Sequence, residues 1–337
     1  MFEILIKFLT ILYSKRMKAR LYILLLVLVG GFIVSCEKQT QPEPSSIQNP
    51  LTYDNQYYAN LRAYKKSDHQ LCFGWFADYS QSFSLGQRFI GLPDSLDICS
   101  LWGGIPTLAN NPTAYNEMRY VRQVKGVRMV VPTIIRIANF PQFTKDSAGV
   151  NAFADYLVKQ VLDNDLDGAD MDYEPEGDWL TGDKLVWLLK HMGEKLGPMS
   201  SNPNTLLIVD YYSTYPLAAT EPYVSLYIKQ AYTAASASTL QSAFNNISAF
   251  ASPKKYIVTE NIGDYWQNGG VPFTDVNGNA LSVYGGQLYS LEGMARWNPT
   301  QGRKGGFGAF YMGRDYNLDP PYKNIRRAIQ IVNPAVK

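Results

Sequence analysis

Eight short apolar runs recur between residues 70 and 312: Gln70–Phe76, Leu96–Trp102, Val127–Ile135, Gly168–Glu174, Thr205–Tyr211, Ser225–Tyr232, Lys255–Asn261 and Gly305–Met312. Between them, apolar positions return with a helical period. Asn151–Leu162 places Ala152, Phe153, Tyr156, Leu157 and Val161 on one stripe, and Asp183–Leu196 does the same with Leu185, Leu188, Leu189, Met192 and Leu196. Gly197-Pro198 stops the second helix, and Tyr322–Val332 supplies a closing one. Trp187 falls within the second helical region and reads as a packing residue. Strands alternating with amphipathic helices predict a parallel sheet, and eight is the number that closes a TIM (β/α)8 barrel. The fold class is therefore α/β, with residues 51–337 forming one barrel domain.

The pattern differs before residue 51. Lys15, Arg16, Lys18 and Arg20 precede the apolar run Leu21–Val34, and Ser35-Cys36 follows. A basic segment, a short apolar core and a small residue describe a secretory signal. The run falls short of the roughly 20 apolar residues a membrane span needs. Its end resembles the lipobox of bacterial lipoproteins, which implies lipid attachment at Cys36 and a signal over 1–35, with Met17 as the alternative start. Residues 37–50, EKQTQPEPSSIQNP, have little to bury and read as a polar tether. The expected location is extracytoplasmic, with a lipid anchor in the bacterial outer membrane and a monomeric folded part held clear of the surface.

Charge and cysteine content mostly exclude. With 31 basic and 29 acidic residues the chain lacks the field that nucleic acid binding requires. Two histidines, His69 and His191, argue against a His-rich metal site or a Ser-His-Asp triad. Cys72 and Cys99 sit in apolar runs and read as buried thiols in adjacent strands.

Candidate chemistry centres on Leu166–Trp179, LDGADMDYEPEGDW. In a strand, side chains two apart share a face, so Asp170, Asp172 and Glu174 form one row of carboxyls. Such a row destabilises a buried strand unless a proton, a donor or a ligand compensates. A calcium loop does not fit, because the positions that need Gly and Glu hold Pro175 and Thr181.

At these residues the chain resembles glycoside hydrolase family 18, whose D-G-x-D-x-D-x-E signature is met by Asp167, Gly168, Asp170, Asp172 and Glu174. The resemblance implies a TIM barrel with the signature on its fourth strand. It also implies retaining hydrolysis in which the substrate's own N-acetyl group attacks the anomeric carbon. Glu174 is then the acid, with neighbouring carboxylates opposing its ionisation. Asp172 orients the acetamido group, Asp170 shares a proton with Asp172, and Asp167 and Gly168 shape the strand. No metal or organic cofactor is called for.

Barrel enzymes place their sites at the C-terminal strand ends. There the sequence offers Trp75, Trp102, Tyr211, Asn261 and Tyr311 as candidate sugar contacts. The sixth strand ends in Gln230-Ala231-Tyr232-Thr233, where family chitinases carry M-x-Y-D. Tyr232 fits the family tyrosine that bonds the acetamido carbonyl. Gln230 is similar to the residue of the family's endo-β-N-acetylglucosaminidases, which cut between the two GlcNAc residues at the base of N-linked glycans. Val130-Val131-Pro132-Thr133 lacks the chitinase S-x-G-G, and residues 266–304 leave room for a hairpin around Asn277-Gly278 and one helix. The expected partner is thus an N-glycan, with a chitinase-like hydrolase and a non-catalytic glycan-binding protein as alternatives.

Overall fold

The computed structural model describes residues 3, 4, 6, 7, 49–79 and 83–334. The chain divides into two compact units, 1–47 and 48–337. Cys36 and most of the expected tether lie outside the described residues. Among the described residues, no helix is long and apolar enough to cross a membrane.

The second unit is a closed barrel of eight parallel strands in sequence order. They are β1 Leu71–Phe76, β2 Ile98–Leu101, β3 Arg128–Ile134, β4 Gly168–Tyr173, β5 Leu206–Tyr211, β6 Leu226–Gln230, β7 Tyr256–Asn261 and β8 Gly306–Phe310. Each expected strand is present. β6 and β8 stop two residues early; directly after β8, Tyr311 takes left-handed backbone (φ 49°) that extended structure does not accommodate.

Alternation along the strands sorts the core into two layers. Phe73, Trp75, Ile98, Val130, Leu206, Ile208, Leu226, Ile228 and Ile257 fill the barrel interior. The intervening positions, such as Cys72, Cys99, Met171, Val209 and Tyr211, pack outward against the helices. Cys72 and Cys99 are accordingly buried free thiols on neighbouring strands.

The helix expected from Asn151 begins at Ser147 and runs to Asp163, because Asp146 caps it by accepting the Gly149 N–H at 2.8 Å. The next covers Asp183–Met192 and ends at Gly193 instead of continuing to Leu196. Trp187 on that helix is 45% exposed, so the expectation that it packs is corrected. Leu185, Leu188, Leu189 and Met192 already complete the buried face. Lys323–Val332 closes the chain. Between β7 and β8 the expected turn appears at Asp275–Asn279 and the expected helix at Ser290–Arg296, with an additional short helix at Ile262–Tyr265.

Gly168 shows why the signature opens on glycine. A Cβ at this position would lie 2.2 Å from the Leu206 carbonyl oxygen, so only glycine lets β4 and β5 approach at this register. Asp167, just before it, accepts from the Met129 N–H at 2.8 Å and from Arg122 at 2.8 and 2.9 Å, which fixes the strand's entry as expected.

Candidate active site

The inward positions of β4 are Gly168, Asp170 and Asp172, so the apolar interior gives way to carboxyls toward the C-terminal mouth. Asp170 is fully buried. Its Oδ2 accepts from Trp75 Nε1 at 3.0 Å and from Ser100 Oγ at 2.7 Å. Burial pushes the carboxyl up to about 6, against the pull of its donors. Asp172 goes further, to about 8, through burial first and then the like charges of Glu174 and Asp170. Its Oδ1 accepts from Gln230 Nε2 at 3.2 Å, which opposes the rise.

Gln230 ends β6 and is itself buried. Its Nε2 also donates to Asp210 Oδ2 at 2.7 Å. Asp210 is a third carboxyl of the cluster, pushed well above the usual carboxylate range by burial and by Asp170 and Asp172. Asp170 acts on both of its acidic neighbours, raising Asp172 and Asp210 through like charge.

Glu174 follows the last residue of β4 and is partly exposed at the mouth. Arg136, from the loop after β3, donates through Nε to the Glu174 backbone carbonyl. Its Nη2 lies 3.4 Å from Glu174 Oε2 and 2.8 Å from Glu176 Oε2. The expected surroundings of Glu174 thus included carboxylates but missed this cation.

Tyr232 lies just past β6. Burial and the four acids Asp210, Asp172, Glu174 and Asp170 push its hydroxyl well above the ordinary range, so it stays protonated. Its ring stacks at 5.9 Å on Phe310 and at 6.2 Å on Tyr212. Phe310 is the hub of the mouth, with Trp102 at 5.3 Å, Trp75 at 5.9 Å and Tyr311 at 4.4 Å. Trp102 and Tyr311 are partly exposed there, as a sugar contact requires.

Three of the expected contacts take other roles. Tyr211 points outward, is 0% exposed and packs against Tyr215 at 5.4 Å, so it cannot reach a ligand in the barrel mouth. Its neighbour Tyr212, 49% exposed and stacked on Tyr232, takes that place. Trp75 is 1% exposed and serves Asp170 as a donor, leaving no open face for a sugar. Asn261 spends its amide on the cap of the Ile262–Tyr265 helix, bonding Asp264 through Nδ2 at 2.8 Å. Asp210, Arg136, Tyr212 and Phe310 were missed as site residues. Asp210 alone had a clear signal, being an acid in register with the inward Leu206 and Ile208.

The family model described as glycoside hydrolase family 18, BT1044-like, matches residues 35–173 and 143–331. The chain belongs to glycoside hydrolase family 18. This family-18 glycoside hydrolase is 27% identical over 300 residues to endo-beta-N-acetylglucosaminidase F2 of Elizabethkingia meningoseptica, spanning 82% of the chain and 85% of that relative. A solved selenomethionine variant of BT1044 shares its fold at TM-score 0.72 and 24% identity, over 83% of this chain and 93% of that one. An endo-beta-N-acetylglucosaminidase from Cordyceps militaris aligns at TM-score 0.62 and 23% identity, over 86% and 99% of the two chains. A family-18 chitinase from Pseudoalteromonas aurantia aligns at 0.52 and 15%, over 78% and 100%.

Proposed function

We propose that this family-18 hydrolase is a retaining endo-β-N-acetylglucosaminidase that cuts the GlcNAc-β-1,4-GlcNAc core of N-linked glycans by substrate-assisted catalysis. The observation that carries the reading is Gln230, an amide from β6 bonded to Asp172 beside the acid Glu174. The named activity of the Elizabethkingia relative supports it.

In this mechanism Glu174 protonates the departing glycosidic oxygen, then takes a proton from the incoming water. The acetamido carbonyl oxygen of the reacting GlcNAc attacks the anomeric carbon, giving a positive oxazolinium ion. Asp172 holds the acetamido nitrogen and stabilises that charge, which favours the ionised form that burial opposes. Tyr232 and Gln230 hold the group in line, an orientation effect worth on the order of 7 kcal/mol in favourable cases. Phe310, Trp102 and Tyr311 offer aromatic surface to the C–H faces of the sugars.

A direct test compares substrates. N-glycans should be cleaved faster than chitooligosaccharides, and a core whose reacting sugar carries a free amine should resist cleavage. Preferential cutting of chitooligosaccharides would make this a chitinase, and efficient cutting of the amine would remove substrate assistance. We further propose that Cys36 carries a lipid that anchors the enzyme outside the cytoplasm. Cys36→Ala should release it from membranes.

A further inference from the structure

We infer that Asp210 is a positioning residue of the site, held as a neutral carboxylic acid that donates its proton to Asp170 while accepting from Gln230. Asp170 Oδ1 and Asp210 Oδ1 are both buried and neither has a hydrogen-bond donor. Both belong to one buried cluster, in which Gln230 Nε2 bonds Asp210 and Asp172 and Asp170 and Asp210 act on each other. Two ionised carboxylates in this cluster would repel and leave both oxygens unpaired, which burial makes costly. One proton shared between them as an O–H···O bond would satisfy both.

The donors already present decide which carboxyl carries that proton. Asp170 Oδ2 receives two, Trp75 Nε1 at 3.0 Å and Ser100 Oγ at 2.7 Å, and both favour its ionised form. Asp210 receives only Gln230 Nε2, at 2.7 Å. The charged and titratable groups facing Asp210 are Asp170 and Asp172 of β4 and Tyr232 beyond β6. None is a cation, and Asp210 has no ion pair among the described residues. Lys229 on β6 turns its Nζ to the Tyr212 and Gln230 carbonyls instead. Among the described residues the acids are not arranged to hold a metal ion in place of the proton. Burial and the charges of Asp170 and Asp172 push Asp210 in the same direction.

This arrangement has a consequence for the reaction. Gln230 Nε2 is held by Asp210 and Asp172 together, which fixes which end of its amide faces the mouth. The proton on Asp210 also keeps a third negative charge from accumulating beneath Asp172.

The kinetic part of the test rests on the hydrolase reading; the spectroscopic part does not. Asparagine is the near-isostere of a neutral acid, its NH2 donating where the acid's O–H does and its carbonyl oxygen accepting. With full-length protein, Asp210→Asn should lose no more than about tenfold in kcat, whereas Asp210→Leu should lose about a hundredfold or more with KM changed less than about threefold. Equal large losses in both would show that Asp210 works as a charge, and small losses in both would show that it positions nothing. Either overturns the inference. Independently, the infrared difference spectrum of native minus Asp210→Asn protein at about pH 9, where ordinary carboxyls are ionised, should show the carbonyl stretch of a neutral carboxylic acid. No such band would overturn the inference whatever the substrate. A native enzyme that cleaves no GlcNAc glycan but shows the band would instead defeat the proposed function alone.

Discussion

Gln230 Nε2 donates to Asp172 Oδ1 at 3.2 Å, joining the end of β6 to the carboxyl row of β4. Removing that amide leaves two buried carboxyls short of a donor. Gln230→Leu should therefore lower kcat by about a hundredfold while folding is retained, with circular dichroism and initial rates as the measurements. Native kcat in this variant would mean that Asp172 is oriented by something else.

Glu174 is the one acid of the row that stands partly open at the mouth. Glu174→Gln preserves its shape and removes the proton it exchanges, so kcat should fall by about a thousandfold with the melting temperature essentially unchanged. A rate within about tenfold of native would take the acid role away from it.

The buried acids also set a pH dependence of stability. Asp172 is raised to about 8 and Asp170 to about 6, from ordinary values near 4. Across that interval the folded protein retains protons that the unfolded chain has released. The stability they contribute is complete below about pH 4 and is lost as pH rises through about 6 for Asp170 and about 8 for Asp172. Urea midpoints should decline between pH 5 and 9 by this mechanism, and Asp172→Asn, neutral throughout, should flatten the upper part of the decline. Parallel slopes in the two proteins would contradict the assignment.

Gly168 lies against the β5 backbone, not against a side chain that could move aside. Gly168→Ala should destabilise the protein by about 2–4 kcal/mol, read from urea unfolding, without a change in pH profile. An unchanged midpoint would refute the close-approach argument.

The barrel was legible because eight apolar runs and the helical stripes between them follow directly from which faces are buried. The carboxyl row was legible because Asp170 and Asp172 stand two apart on a strand. What escaped depended on direction and on loops. Tyr211 and Tyr212 differ by one position, but strand alternation turns Tyr211 into the helical layer and leaves Tyr212 at the mouth. Applying the alternation of Leu206 and Ile208 to its end would have selected Asp210 over Tyr211. Arg136 reaches Glu174 from a loop after β3, a contact that no periodicity encodes. Phe310 became the aromatic hub because β8 stops at Phe310 and Tyr311 turns left-handed.

The most direct test of the central claim is mass spectrometry of an N-glycosylated protein before and after exposure to the full-length enzyme, with Glu174→Gln as control. The account predicts loss of the glycan with a single GlcNAc left on each asparagine, and no change in the control. Glycans left intact, or removed equally well by Glu174→Gln, would contradict it.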